Sequence, residues 1–184
     1  MDFNKNYFEI FQLPVAFDQD PDQLAARYRQ LQSSVHPDRF VDASDQEKRL
    51  SLQWATQINA AYNVLVSGLD KAIYLLELAG ISIEDNPQLD PGFLMDQIEL
   101  REQLEDISAT AAGRLVDPHD DSEALHELDA FKEKIKIELH DLEKDFAVQY
   151  GTELRAAEIT VYKMQFINKL LLEADKLEEK MLDY

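Results

Sequence analysis

The sequence predicts an all-α protein built as an N-terminal helical hairpin followed by a C-terminal three-helix bundle. Three observations predict it. Glycine and proline are scarce, five and six among 184 residues, so little interrupts the long runs of Leu, Glu, Lys and Ala. Apolar residues recur at steps of three and four, the period of a helix, rather than two. The formal charge of −19 is unevenly spread: residues 1–69 hold nine acids and six bases, a balance of −3, which leaves −16 to residues 70–184. The expected organisation is residues 1–76 as the hairpin unit, 77–91 as a connecting segment and linker, and 92–184 as the bundle.

The elements follow in order. Tyr7-Phe8-Glu9-Ile10-Phe11-Gln12-Leu13 is a short aromatic segment suited to pack across the open side of the hairpin. Asp20-Pro21-Asp22 starts the first long helix, with a capping Asp, Pro in the first turn and acids at the positive end of the dipole. Its apolar stripe is Leu24, Tyr28, Leu31 and Val35. His36-Pro37-Asp38-Arg39-Phe40 then forces a turn, because Pro37 lacks a backbone donor and pushes His36 away from helical dihedrals. Asp38 is thereby offered on an exposed, stiffened loop, an arrangement suited to docking on a basic group of a partner. The plainer alternative is that Pro37 only stops the helix and Asp38 only caps the turn. Ser44 or Asp45 caps the second helix, Lys48 and Arg49 follow, and Leu50, Trp54, Ile58, Ala61 and Leu65 form its stripe, with Tyr62 beside Ala61 and Gly68 as its end. Residues 69–76 read as a connecting helix ended by Gly80. Ile81 to Pro91, with two prolines and no helical period, reads as a linker.

Three helices are expected beyond Pro91. The second, from about Asp121 to Tyr150, carries Leu125, Leu128, Phe131, Ile135, Leu139, Leu142 and Phe146, a continuous seam. Gly151-Thr152 closes it. The third, from about Glu153 to Leu182, carries Ile159, Tyr162, Phe166, Leu170, Ala174 and Leu177. The first runs from about Gly92 to Ser108, with a break at Gly113 and Asp117-Pro118. On it, Phe93, Leu100, Leu104 and Ile107 share one side, while Leu94, Met95 and Ile98 lie roughly 100–200° around from Phe93. Arg101, Glu102 and Glu105 lie on that second side. A polar-rimmed apolar patch off the core stripe reads as a face for another protein, or as a seam against the connecting helix or the linker.

Composition narrows the chemistry. There is no cysteine, which removes disulfides and thiolate metal sites. His36, His119, His126 and His140 show no zinc-ligand spacing, and His126 and His140 stand roughly 21 Å apart along one helix. His36 has no Ser or Cys nucleophile in a recognisable motif beside it, and no Gly-rich phosphate loop is present. The chain is therefore expected to be no enzyme and to hold no cofactor or metal. The rival that would use His119, His126 or His140 with nearby acids is tested by metal analysis. The acidic second half argues against nucleic acid and against an anionic membrane as partners. The apolar runs are too short to span a bilayer, and Met1-Asp2-Phe3-Asn4-Lys5 resembles neither a signal nor a transit peptide, so a cytoplasmic home is expected.

Tyr7 to Leu13, Tyr28-Arg29-Gln30-Leu31, His36-Pro37-Asp38 at the hairpin turn, and Ile58-Asn59-Ala60-Ala61-Tyr62-Asn63-Val64-Leu65 together resemble a J-domain. Phe93-Leu94-Met95-Asp96-Gln97-Ile98-Glu99-Leu100-Arg101-Glu102 after it, with the closing residues 177–183, resembles the HscB family of iron–sulfur co-chaperones over nearly the whole chain. The Gly/Phe-rich linker and Cys-rich modules of general DnaJ-type proteins are missing. The resemblance implies that His36, Pro37 and Asp38, with Arg27, Arg29 and Arg39 around them, dock on an HscA-type chaperone of the DnaK class and stimulate its ATP hydrolysis. It implies equally that Leu94, Met95 and Ile98, with Glu99, Arg101, Glu102 and Asp106 around them and Phe166 from the third helix, bind the cluster scaffold protein IscU. Periodicity places Phe166 on the core stripe of its own helix. The clusters themselves would stay on the scaffold. The alternatives are a generic J-domain co-chaperone with another client and a helical adaptor.

Overall fold

The computed structural model describes residues 5–83, 89–114 and 121–182. Among them the chain is helical, with seven α-helices and one short 3-10 turn, and it divides into two compact units, residues 1–83 and 84–184. The all-α expectation holds.

In the first unit, α1 (Tyr7–Phe11) opens on a capping box: the Asn6 side chain accepts from the Glu9 amide at 2.9 Å and the Glu9 carboxylate accepts from the Asn6 amide at 2.8 Å. Phe8, Ile10, Phe11 and Leu13 are buried. α2 (Pro21–Val35) starts at the Asp20 cap with Pro21 in its first turn, as the sequence predicts. α3 (Asp45–Val66) starts at Ser44, whose hydroxyl and amide both meet Glu47. Those bonds hold the Glu47 carboxyl below the usual carboxylate range.

α2 and α3 are antiparallel. Tyr28 stacks on Tyr62 at 4.0 Å, the Tyr28 hydroxyl donates to Asn59 Oδ1 at 2.9 Å, and Gln32 donates to the same oxygen. α1 lies across the pair. α4 (Gly68–Leu78) packs on α3 and is tied to α1 by Tyr74, which stacks on Tyr7 at 4.4 Å while its hydroxyl oxygen accepts from the Tyr7 amide at 3.0 Å.

Two details of this unit differ from expectation. Gly68 does not end α3; Ser67 does. Its extended backbone closes α3 and its hydroxyl accepts from the Asp70 amide to cap α4, so Gly68 is the first residue of the next helix. Leu50 is exposed, and Ser51 takes its place in the core, donating to the Val35 carbonyl at 2.7 Å. Leu78 is exposed as well, leaving Leu75 and Leu76 to anchor α4. Gly80 closes that helix as predicted, with φ at +80° and the Ile81 amide donating back to the Leu76 carbonyl.

The second unit is a bundle of α5 (Pro91–Arg114), α6 (Asp121–Tyr150) and α7 (Leu154–Leu182). α6 and α7 pair along most of their length, and α5 lies against both. The shared core is Leu100, Leu104 and Ile107 of α5, Leu128, Phe131 and Ile135 of α6, and Ile167, Leu170 and Ala174 of α7. Truncating any of the large ones to Ala costs about 2–5 kcal/mol. Pro91 belongs to α5 rather than to a linker: it is the first helical residue after Asp90, whose carboxylate accepts from the Gly92 and Phe93 amides. Gly113 does not break α5, which continues to Arg114; a mid-helix glycine costs about 1 kcal/mol without ending a helix. Asp117-Pro118 lies outside the described residues. Ile159, expected on the α7 stripe, is exposed.

Candidate functional site

Two surfaces stand out, one in each unit. The first is the turn after α2. His36 leaves the helix at φ −61°, ψ +134°, and Pro37–Phe40 form a single 3-10 turn. Several bonds lock it. His36 Nδ1 accepts from the Asp38 amide at 3.3 Å, the Arg39 amide donates to the His36 carbonyl at 3.0 Å, and the Arg39 guanidinium reaches the Ser33 carbonyl at 3.4 Å. Beneath it, Val35 is buried, and its carbonyl, left without a helical partner, takes the Ser51 hydroxyl. The His36 ring shapes the turn while the Asp38 carboxylate stays open to solvent. The Asp38 side chain is 86% exposed, with His36 Nδ1 3.5 Å away. The turn engages Asp38 through its backbone amide.

Of the flanking cations, Arg29 and Arg39 are exposed and Arg27 is half-buried with its guanidinium 3.4 Å from the Gln30 side chain. Beside the turn, Phe40, Val41, Leu52 and Ala55 help line an open groove of about 260 Å³. Sequence reasoning missed this groove. Its signal was the pair of apolar residues, Val41 and Leu52, that belong to no core stripe.

The second surface is on α5. Phe93, Leu100, Leu104 and Ile107 are buried, whereas Leu94, Met95 and Ile98 are 44%, 59% and 51% exposed. Within its own unit the patch is left uncovered by α6 and α7. Glu99, Arg101, Glu102 and Asp106 around it are exposed. Phe166 is half-buried against the bundle core and meets Phe93 edge-on at 6.0 Å between centroids. On α6, burial pushes the Glu138 carboxyl up; Lys134 pulls it down, Asp96 pushes it up and Lys163 pulls it down.

Among the described residues the histidines form no further centre. His126 and His140 are exposed, His140 beside Glu143 at 3.6 Å, and His119 lies outside the described residues. Among the described residues no group of three or more His, Cys, Asp or Glu side chains is placed to hold a metal ion, and no helix is long and apolar enough to cross a membrane.

Comparisons with known proteins match this layout. Residues 89–175 match the family model described as the HSCB C-terminal oligomerisation domain. A co-chaperone protein HscB homolog of Vibrio cholerae is 39% identical over 96% of this chain and 99% of its own, and one of Azoarcus sp. is 39% identical over 98% of each. Among solved structures, the chaperone HscB from Vibrio cholerae superposes with a TM-score of 0.78 at 36% identity, covering 96% of this chain and 99% of that one. Human co-chaperone HscB shares the fold, with a TM-score of 0.80 at 24% identity, covering 100% of this chain and 86% of that one. With two relatives well above a third identical from end to end, the chain belongs to the HscB family, the J-domain co-chaperones of iron–sulfur cluster biogenesis.

Proposed function

We propose that the two surfaces have different partners: the turn around Asp38 docks on an HscA-type chaperone of the DnaK class and stimulates its ATP hydrolysis, and the α5 patch holds an IscU-type scaffold protein so that both reach the chaperone together. The observation that carries the reading is the exposure of Leu94, Met95 and Ile98 on a helix whose opposite side is already buried. Water does not reward three adjacent apolar side chains, so a partner that covers them gains their burial. The acids Glu99, Glu102 and Asp106 against the single Arg101 favour a counterpart with a basic rim around an apolar centre. The chaperone end works differently. There a lone carboxylate on a stiffened turn offers a charge-assisted bond to a guanidinium, with Arg27, Arg29 and Arg39 facing acidic ground nearby. Arg27 and Arg29 stand on α2, and Arg39 stands in the turn beside Asp38.

On this reading the chain hydrolyses nothing, needs no cofactor and works in the cytoplasm, with neither nucleic acid nor membrane as partner. Steady-state ATP hydrolysis by the HscA-type chaperone, with this chain and the scaffold added singly and together, tests it. Stimulation greater together than the sum of the two alone is expected. Stimulation indifferent to the scaffold would leave a generic J-domain co-chaperone, and none at all a helical adaptor.

A further inference from the structure

The part of α5 that presents Leu94, Met95 and Ile98 is fastened to its bundle at one point. Within residues 91–99 Phe93 is the one buried side chain, at 7% exposure, and the shared core begins only at Leu100. Two specific contacts to the Phe93 ring come from α7. Phe166 meets it edge-on, with the ring planes at 84°, and Lys163 Nζ lies over it, 5.3 Å from the centroid. Each depends on the ring's quadrupole as well as its bulk, so an aliphatic residue of similar volume supplies neither. Lys163 also lies within electrostatic reach of Glu138 on α6, which in turn feels Asp96 on α5. It therefore stands where all three helices converge, beneath the patch. Phe93 precedes Leu94 and Met95 directly on the helix, so a backbone shift at Phe93 carries both with it.

We propose that Phe93, gripped by Phe166 and Lys163, is a clamp that fixes the pose of the first turns of α5, which makes Phe93 and Lys163 positioning residues for scaffold recognition. The proposal rests on the assignment of Leu94, Met95 and Ile98 to the scaffold made above.

The test uses the full chain and the purified IscU-type scaffold, with Phe93→Leu, Lys163→Gln, Lys163→Arg, the Phe93→Leu/Lys163→Gln double variant, and Leu94, Met95 and Ile98 replaced together by Ala. Amide hydrogen exchange at residues 94–98 without scaffold is expected to quicken about tenfold in Phe93→Leu and about threefold in Lys163→Gln, with residues 100–111 unchanged. Scaffold Kd is expected to rise by similar factors. Lys163→Arg, which keeps a cation over the ring, restores both, and the double variant binds no more weakly than Phe93→Leu. Unchanged exchange overturns the clamp. Faster exchange with unchanged affinity overturns its link to recognition. Additive losses in the double variant overturn the positioning role, because Lys163 then touches the scaffold itself. If replacing the patch leaves affinity unchanged, the scaffold assignment fails, and the exchange data still judge the clamp separately. Should Phe93→Leu unfold the bundle, the Gln and Arg variants of the partly exposed Lys163 carry the same comparison.

Discussion

At Asp38 and at Lys132 charge plays opposite parts. The turn uses the Asp38 amide and leaves the carboxylate to solvent, so Asp38→Asn removes the charge and spares the fold. It is expected to lower chaperone stimulation about tenfold or more, the scale of a lost charge-assisted bond, with the melting temperature and scaffold affinity unmoved; wild-type stimulation in an ATPase assay would remove Asp38 from the interface. Lys132 is structural. Its side chain is 12% exposed and its ammonium lies 2.7 Å from both Asp175 and Glu178 of α7. The bonds to Asp175 and then Glu178 hold its pKa above the usual lysine range against the opposing effect of burial. Folding raises this pKa, so the interaction stabilises fully below the unfolded value of about 10.4 and is lost as pH climbs beyond it. Lys132→Met is expected to destabilise by about 1–2 kcal/mol at neutral pH, a modest figure because both carboxylates reach solvent. The deficit should be constant from about pH 6 to pH 9 and shrink above about pH 10.5, which calorimetric melting across that range measures.

Among the elements, α5 is the informative one because it has two apolar sides and its own bundle buries only one. Replacing Leu94, Met95 and Ile98 together by Ala is expected to weaken scaffold binding strongly while costing under about 0.5 kcal/mol per site, the usual cost at exposed positions. Thermal melting and a binding titration separate the two effects, since three buried truncations would cost about 6 kcal/mol or more. Periodicity made both sides of this helix legible: the buried stripe at Phe93, Leu100, Leu104 and Ile107 is the one observed. It left open whether another element covered the second side, because hydrophobic spacing records what could be buried and not what arrives to bury it. The misplaced residues have local causes of the same kind. Ser51 entered the core in place of Leu50 through a hydrogen bond to Val35, and a hydrophobicity pattern does not register a polar residue satisfied by a distant carbonyl. Gly68 looks like a helix stop, yet the stop is an extended Ser67 that serves two helices at once. Gly113 is tolerated inside α5, a position whose propensity cost is below what the bundle core supplies. The edge-on meeting of Phe93 and Phe166 joins residues 73 positions apart, and no local pattern encodes that.

For the whole molecule, the charge split suits the two-partner reading proposed above, in which each end has its own kind of partner. The −16 carried by residues 70–184 repels polyanions and leaves apolar contact and basic rims as the means of recognition there, whereas the near-balanced first unit can approach an acidic chaperone surface. Holding two partners on one chain turns the second encounter into an intramolecular one, with an effective concentration set by the connection between the units. Such coupling needs no new contact between scaffold and chaperone, and it makes a prediction that neither surface makes alone. A Gly/Ser segment of about 20 residues inserted between Ile83 and Leu89 would span about 25 Å on average and dilute one end relative to the other. The concentration of co-chaperone giving half-maximal synergy in ATP hydrolysis is expected to rise about fivefold. Scaffold affinity and scaffold-free stimulation should stay at their original values, because each surface lies wholly within its own unit. If synergy survives the insertion at the original concentration, the scaffold engages the chaperone by itself, and the chain's two ends act independently.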